Sequence, residues 1–384
     1  MNFLKKYEEV QQHLDSHYQN WLFGAGISFE SNIPLMIPLT KKITADLKDK
    51  ELRKIYIAIQ KLLPQDAHIE YILSQIGDLI AIIERSYSEE IKINNFVYTL
   101  EGLSKLYKAI IERISHIVRY GYKSSDPSIE GSIQNPIVTV NFHQEFVKAL
   151  FKRSSDLHQR KKVNFFTTNY DTLLEDALSL EKKLVIDGFS GSAIGFWDPT
   201  SYKKNTNNNE YHVYKLHGSI DWFNDPSYGL IRTRYGTNYL SELSNVLIYP
   251  QATKYVETQK DPFATLFNAF REQLRSINQN VLCVCGYSFG DNHINNEIEG
   301  ILFSPNNNMT LIIFIKEIWN QEHNDTSLSP ILHKWLSNSA ISDRIFVLTE
   351  KGIYNDGLAA YRNKDKEYDW WSFNGLIKLL KEEE

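Results

Sequence analysis

The segment NWLFGAGIS, residues 20–28, decides how the rest of the chain is interpreted. Its apolar part, residues 21–23, is typical of a short buried strand, and residues 27–33 could begin a helix. Between them, Gly24 and Gly26 permit a tight turn and a close approach of the backbone to a ligand. Because the free N–H groups at a helix start favour negative charge, this is a candidate cradle for a dinucleotide pyrophosphate. The third glycine of the full dinucleotide fingerprint is absent, so an ordinary tight turn explains the segment about equally well.

Composition limits the class of protein. The 384 residues are 42% hydrophobic, which is enough to bury a large core. A net charge of −5 gives no reason to expect a nucleic-acid-binding surface, so direct contact with nucleic acid is not expected. No apolar run approaches the length that crosses a membrane, and the charged segment 1–10 lacks the apolar core of a signal peptide. We therefore expect a cytoplasmic protein without membrane contact.

The cysteines argue against a structural zinc site. Cys283 and Cys285 are the two cysteines of the chain and lie one residue apart in an apolar segment. Alternate positions of one strand make a poor disulfide, and two thiols cannot complete a four-ligand zinc site. We expect both to be reduced core residues, and we expect no bound metal.

A long helical region follows the first strand-like segment. Pro34 and Pro38 predict a loop directly after the glycine turn. Apolar residues then recur at helical spacing in four segments, namely residues 41–63, 69–85, 91–120 and 142–153. A linker rich in Ser, Gly and Pro precedes the last of them, at residues 122–136. We interpret residues 41–160 as an inserted helical sub-domain that could also offer a partner-binding surface.

The remaining sequence is typical of a parallel sheet. Apolar, β-rich runs recur at residues 163–167, 211–216, 281–285, 311–315 and 344–348. Such runs, separated by helices, indicate a sheet covered on both faces. The predicted fold class is α/β, a Rossmann-like parallel sheet with helices on both faces and a large inserted helical sub-domain. The predicted division gives residues 1–40 to the N-terminal helix and first strand and loop, 41–160 to the inserted helices, 161–320 to the remainder of the Rossmann-like domain, and 321–384 to a C-terminal strand and helix that complete it.

Four polar or glycine-containing clusters follow predicted strands. They are residues 24–26; Thr168, Asn169, Tyr170 and Asp171; residues 217–219, beginning with His217; and residues 286–288, with Gly286 and Ser288. A doubly wound sheet binds its ligand outside the carboxyl ends of its strands, so the clusters are expected to converge on one crevice. Each alone has a simpler interpretation: Asn169 and Asp171 could cap a helix, His217 could be a turn residue, and the last cluster could end a strand. Their coincidence favours a binding site.

In these motifs the sequence resembles the sirtuin-like (silent-information-regulator) NAD-binding family. The resemblance rests on GAGIS at 24–28 with SNIP at 31–34, on TTNYD at 167–171, on KLHGS at 215–219 and on GYSF at 286–289. All of them occur in the order that the family has, and together they span most of residues 20–300. The resemblance implies a Rossmann-type domain with a smaller inserted module.

Two departures from the family pattern narrow the expected activity. Sirtuin deacylases carry a four-cysteine zinc module after the histidine motif, but this chain has no cysteine between His217 and Cys283, so we expect no zinc module. The acidic-aromatic-arginine triplet of the family is replaced by LMI at residues 35–37. The sequence is more similar to the divergent bacterial branch of anti-phage defence effectors. That resemblance implies an NAD+ glycohydrolase that cleaves NAD+ to ADP-ribose and nicotinamide.

The resemblance and the chemistry of these groups assign candidate roles. The Asn169 amide would hold the nicotinamide ribose and the attacking water, and His217 would accept a proton from water or a ribose hydroxyl. The candidate NAD-binding residues are Gly24, Ala25, Gly26 and Ser28 at the pyrophosphate, Asp171 at the carboxamide or as a support of its loop, Gly286 and Ser288 at the adenosine side, and Thr168 without a more specific role. NAD+ is thus expected as substrate, without a metal.

Other activities and several partners stay open at this point. The alternative activities are an NAD-dependent protein deacylase, an ADP-ribosyltransferase, and a non-catalytic sensor of NAD or ADP-ribose. A further class is a nucleic-acid-guided or scaffolding subunit, in which the helical region acts and the pocket is vestigial. The resemblance implies a HerA-type hexameric ATPase as partner, with a short Argonaute protein as the alternative. The apolar faces of the inserted helices lead us to expect a homo-oligomer.

Overall fold

The computed structural model of the chain describes residues 3–152, 161–203, 209–234, 245–248, 261–275, 280–305, 307–320, 325–362 and 367–381. Its α-helices are α1 (Phe3–Leu14), α2 (Met36–Asp46), α3 (Lys50–Gln60), α4 (Ile69–Arg85), α5 (Leu100–Tyr120), α6 (Asn141–Leu150), α7 (Leu173–Leu180), α8 (Phe263–Arg275), α9 (Asn292–Leu302), α10 (Pro330–Leu336) and α11 (Phe373–Lys381). Short 3₁₀ helices cover Ala25–Ser31, Pro199–Lys203 and Ser342–Arg344.

The strands follow the same chain order. They are β1 (Tyr18–Phe23), β2 (Glu90–Ile93), β3 (Phe96–Thr99), β4 (Lys162–Thr167), β5 (Leu184–Ile186), β6 (Phe189–Gly191), β7 (Ile194–Trp197), β8 (Glu210–Lys215), β9 (Gly218–Asp225), β10 (Gly229–Thr233), β11 (Asn245–Ile248), β12 (Val281–Cys285), β13 (Thr310–Phe314), β14 (Ile318–Asn320), β15 (Asp325–Ser327), β16 (Ile345–Thr349), β17 (Gly352–Tyr354) and β18 (Ala360–Tyr361).

A large sheet forms the centre of the molecule. Within the described ranges its strand order is β18-β17-β16-β13-β12-β1-β4-β8-β5. Every neighbouring pair from β16 to β5 is parallel, and β17 and β18 extend one edge in antiparallel fashion. In register, Trp21 of β1 lies between Phe165 of β4 and Cys283 of β12. The predicted parallel sheet is confirmed.

Helices cover both faces of this sheet, as predicted. Side chains alternate along each strand, so Leu22 and Phe166 belong to one core, together with residues of α8, α9 and α10. Trp21 and Phe165 belong to a second core on the other face, with residues of α1, α6, α7 and α11. The α/β fold class is therefore confirmed.

A third core lies in the region between β1 and β4. It joins apolar residues of α2, α3, α4 and α5 to Tyr170 and Leu173, which follow β4. By contrast, α6 packs against the sheet, with Phe146 in the second core. A smaller antiparallel sheet has the order β11-β9-β10-β7-β6 within the described ranges, and its strand β9 begins directly after His217. None of the described helices has the length and apolarity needed to cross a membrane.

Three local predictions were wrong. The helical segment predicted over residues 41–63 is divided between α2 and α3, and Asp49 is the N-cap that begins α3. The loop predicted around Pro38 is the start of α2. Pro38 is the third helical residue, where a backbone N–H would find no acceptor inside the helix, so a proline at this position breaks no helical hydrogen bond. The helix predicted to begin at residue 91 begins at Leu100, and residues before it form the β2–β3 hairpin. Asn94 takes a left-handed conformation there, with φ of 53°, which turns the chain between the two strands.

Candidate active site

The candidate site lies at the carboxyl edge of the central sheet. Within the large sheet, β4 and β8 lie on one side of β1. The strands that come later in the chain, β12 and β13, lie on its other side. Such a reversal of strand order opens a crevice at the strand ends. A cavity of about 910 Å³ is found there, within the size range of ligand pockets. All of the candidate site residues line it, namely Gly24, Ala25, Gly26, Ser28, Thr168, Asn169, Asp171, His217, Gly286 and Ser288.

The glycines after β1 and β12 pack directly against each other. The N–H groups of Gly24 and Gly26 donate to the carbonyl oxygens of Cys285 and Gly286, at 3.1 and 2.9 Å. A Cβ on Gly24 would lie 2.5 Å from the Gly286 oxygen, and Gly286 itself has a φ of +67°. The absence of side chains is thus required by the contact between two loops, a reason that differs from the ligand approach assumed in the sequence interpretation.

Ser28 connects the first loop to the loop after β4. The Asn169 amide nitrogen donates to the Ser28 hydroxyl at 3.1 Å, and that hydroxyl donates to Asp171 Oδ2 at 2.8 Å. Asp171 Oδ1 also accepts from the Leu173 N–H at 3.1 Å, at the start of α7. The Asn169 side-chain oxygen is buried and has no hydrogen-bond partner in the described part of the chain. An acceptor of this kind is available to a ligand hydroxyl or a water molecule.

A buried ion pair holds the loop that follows β4. Lys215, at the end of β8, donates to the main-chain oxygen of Asp171 and pairs with Glu175 of α7 at 3.2 Å. Both charged side chains are buried. Burial raises the pKa of Glu175, and the nearby Lys215 ammonium opposes that rise. The pair fixes the conformation of the loop because separating it would leave an uncompensated buried charge.

His217 pairs with an aspartate to which the sequence analysis gave no role. Its Nε2 atom lies 3.1 Å from Asp291 Oδ2, and both side chains are buried. The other oxygen, Oδ1, accepts from the N–H groups of His293 and Ile294 at 2.9 and 3.4 Å, as the N-cap of α9. An aspartate directly before a helix is an ordinary cap, but the contact with His217 joins distant parts of the sequence.

The helical region supplies another wall of the cavity. Asp66, His68, Glu70 and Tyr71 line it from the start of α4 and the residues before that helix. The Tyr170 hydroxyl donates to Glu70 Oε1 at 2.6 Å. Burial raises the pKa of Tyr170 well above its usual value, and the adjacent Glu70 carboxylate adds to the rise. Tyr170 therefore stays protonated as a hydrogen-bond donor.

A basic and aromatic pair lies at another part of the cavity wall. Lys316 follows β13, and its ammonium group lies 4.7 Å from the centre of the Trp371 ring. Among the described residues no group of three or more His, Cys, Asp and Glu side chains is arranged to hold a metal ion.

Residues 163–336 match the family model described as a SIR2-like domain. One similar solved structure is a mutant Sir2 homologue in complex with 2′-O-acetyl ADP ribose, with 15% sequence identity, 80% of this chain and 84% of that chain covered, and a TM-score of 0.35. No curated protein matches the chain.

The family match contains part of the cavity lining. Asn169, Asp171, His217 and Gly286 lie within it, whereas the glycine turn at 24–26 precedes it. Over residues 163–336 the chain is therefore similar to the SIR2-like domain, which supports a sirtuin-like relationship.

Proposed function

We propose that this protein is an NAD+ glycohydrolase, which cleaves the bond between nicotinamide and ribose to give nicotinamide and ADP-ribose. The observation that carries the proposal is the convergence of Asn169, Asp171 and His217 on one cavity at the reversal of strand order. This is where doubly wound sheets bind dinucleotides. The SIR2-like match, which includes these three residues, supports NAD+ as the substrate.

The reaction requires a group that steadies the sugar and a group that takes a proton. When the carbon–nitrogen bond breaks, its electron pair goes to the nicotinamide nitrogen and the ribose becomes oxocarbenium-like. Water then adds to the anomeric carbon and loses a proton. The unpartnered oxygen of Asn169 would accept a hydrogen bond from a ribose hydroxyl or from this water.

His217 would act as the general base. A carboxylate can only accept hydrogen bonds, so the proton shared with Asp291 belongs to the Nε2 atom of His217. In the neutral ring the lone pair is then on Nδ1, which would take the proton from water or from a ribose hydroxyl. Asp291 would also stabilise the positively charged ring that results.

We propose that the other candidate residues bind the remaining parts of NAD+. Gly24, Ala25, Gly26 and Ser28 would lie at the pyrophosphate, Gly286 and Ser288 at the adenosine side, Asp171 at the carboxamide, and Thr168 elsewhere on the bound NAD+. The N–H groups of Gly24 and Gly26 already donate to protein carbonyl oxygens. Ala25 and Ser28 are therefore the residues of this turn that we expect to contact the ligand.

The test is incubation of the purified chain with NAD+ and quantification of nicotinamide and ADP-ribose over time. We expect both products from the unaltered protein, and at least about 100-fold slower release from Asn169→Ala and His217→Ala. Thermal denaturation of both variants should show an intact fold, and His333→Ala, on the exposed side of α10, serves as the control. Full activity in both site variants would contradict the assignment.

The same assay separates the alternatives. Nicotinamide release that requires an acylated peptide would indicate a deacylase or an ADP-ribosyltransferase. Tight binding of NAD+ that is recovered unchanged would indicate a sensor.

We further propose that the activity depletes cellular NAD+ in anti-phage defence together with a HerA-type hexameric ATPase. The motif resemblance supports this role, and a short Argonaute is the alternative partner.

The assay for nicotinamide release is repeated with each partner, and light scattering measures whether the chain forms the expected homo-oligomer. Unchanged nicotinamide release and no co-elution with either partner would contradict the proposed assembly.

A further inference from the structure

Glu70 is an acidic residue of the cavity wall that the proposed mechanism does not use. It lies in the first turn of α4, the residue is 3% exposed, and it lines the cavity. Oε1 accepts the Tyr170 hydroxyl, whereas Oε2 is buried without a hydrogen-bond partner in the described part of the chain. Among those residues, no lysine, arginine or histidine forms an ion pair with it. A buried carboxylate oxygen without a partner is costly, so a partner is expected from the cavity itself.

The position of Glu70 relates it to the nicotinamide end of the proposed ligand. Tyr170, which holds it, stands between Asn169 and Asp171 in the chain. Those neighbours are the residues to which the ribose and the carboxamide are assigned under the proposed function. The Glu70 carboxylate is therefore one tyrosine side chain away from the loop after β4, where the glycosidic bond would break.

The charge of the substrate at that bond suits a carboxylate. NAD+ carries a positive charge on its nicotinamide ring, and that charge moves to the ribose as the bond breaks. A fixed negative group in a site from which water is largely excluded stabilises such developing charge strongly. Oε2 has no partner that already neutralises it among the described residues, so its interaction is available for the transition state.

We propose that Glu70 is a further catalytic residue, whose free carboxylate oxygen faces the nicotinamide ribose and stabilises the positive charge that develops there. The inference rests on the proposed function. Glu70 forms no covalent bond and carries no proton in the reaction: the electron pair of the broken bond leaves with nicotinamide, and the proton of the added water goes to His217. Tyr170 is the positioning residue that orients the carboxylate through its hydroxyl.

The decisive variant is Glu70→Gln, which keeps the size and an oxygen for the Tyr170 hydroxyl but removes the negative charge. We expect kcat for NAD+ hydrolysis to fall about 100-fold while KM changes less than about threefold, because the lost interaction belongs to the transition state. Tyr170→Phe should lower kcat by a smaller factor, about tenfold. The matched control is Asp78→Asn, which removes an exposed carboxylate from the same helix outside the cavity and should leave kcat unchanged.

A binding measurement gives a second readout. We expect the unaltered chain to bind NAD+ only about twofold more tightly than NADH, whose nicotinamide ring is neutral, because most of the interaction develops in the transition state, and we expect Glu70→Gln to lose that small preference. Calorimetry with both dinucleotides measures it on the His217→Ala background, with and without Glu70→Gln, where hydrolysis of NAD+ is too slow to interfere. An active unaltered protein with equally active Glu70→Gln, or a variant in which only KM rises, overturns the role of Glu70 and leaves the proposed function standing. An unaltered protein that binds NAD+ but never cleaves it overturns the proposed function and the catalytic role together.

Discussion

His217 and Asp291 come from loops that follow strands on opposite sides of β1, yet their side chains meet at 3.1 Å. We predict that Asp291→Asn lowers kcat for NAD+ hydrolysis about 100-fold, because an amide can donate to the ring and favour the wrong tautomer. Steady-state kinetics measures this loss, and the dependence of kcat on pH should change with it.

The same substitution should leave the fold intact. The amide oxygen that it introduces can still accept from the His293 N–H, so the N-cap of α9 is retained. The matched control is Asp49→Asn, which changes the N-cap aspartate of α3 outside the cavity and should preserve kcat. A kcat within twofold of the unaltered protein in Asp291→Asn would contradict the role of the pair.

The contact between the two glycine loops predicts a large stability difference between two glycine substitutions. Gly286→Ala puts a Cβ 2.6 Å from the Ile27 nitrogen, at a residue with φ of +67°. We expect the free energy of unfolding to fall by about 2 kcal/mol or more, because the left-handed conformation and the backbone contact are both unfavourable. Urea denaturation monitored by fluorescence measures the change.

Gly300→Ala is the matched control for this prediction. Gly300 lies on the exposed side of α9, and no heavy atom would lie within 4 Å of an added Cβ. Alanine should therefore stabilise the protein by about 0.5–1 kcal/mol. Equal effects of the two substitutions would show that the loop contact is not tight.

At the scale of residues, the sequence predicted the candidates that follow strands and missed those that depend on tertiary contacts. Asn169 and His217 could be predicted because apolar runs reveal where strands end. Glu70 could not, since an acidic residue in the first turn of a helix is common for electrostatic reasons alone. Its partner Tyr170 is 100 residues away in the chain, and Asp291 looks like an ordinary helix cap.

Helix α6 carries a buried histidine that should make its packing sensitive to acid. His143 is fully buried, its ring lies 5.0 Å from that of Phe373 in α11, and neither ring nitrogen has a hydrogen-bond partner in the described ranges. Burial lowers the pKa of His143 to about 4 from its ordinary value of 6.5. The unfolded chain thus binds this proton more readily, so the associated stability is present above pH 6.5 and is lost as the pH falls toward 4.

We predict that His143 accounts for a loss of about 2 kcal/mol in the free energy of unfolding between pH 7 and pH 5. His143→Leu removes the titrating group and two unpartnered polar atoms, so its stability should depend less on pH and be no lower at pH 7. Denaturation curves at several pH values measure this, with the exposed His333→Gln as control. A variant that keeps the full acid sensitivity would contradict the prediction.

At the scale of elements, the long apolar strands and the 3.6-residue periodicity could be predicted, and short elements with ambiguous local sequence could not. The helix from Ile69 to Arg85 agrees with its prediction because its apolar face is continuous. The rule that prolines mark loops failed at Pro38, because a proline is tolerated in the first turn of a helix such as α2. In β2 and β3 four residues each are too few to distinguish a strand from the first turns of the following helix.

At the scale of the whole molecule, the sheet and the helical region form one cavity together. Tyr170 and Leu173, which follow β4, belong to the same core as the apolar residues of α4 and α5. The division of the chain into four segments remains a prediction, and nothing in the sequence indicates that the start of α4 would be placed at the strand ends. Such docking depends on the complementary shapes of two apolar surfaces, which periodicity does not describe.

A shared cavity predicts that one ligand protects both parts from hydrogen exchange. We expect saturating ADP-ribose, which is not consumed, to slow exchange about tenfold in residues 24–28, 168–171 and 66–71. The first two segments follow strands β1 and β4 of the sheet, and the third lies in the helical region. The antiparallel edge strands β17 and β18 lie outside the cavity lining and serve as the internal control. Mass spectrometry measures the exchange, and protection of the segments that follow the strands alone would mean that the helical region does not contact the ligand and that Glu70 does not face the sugar.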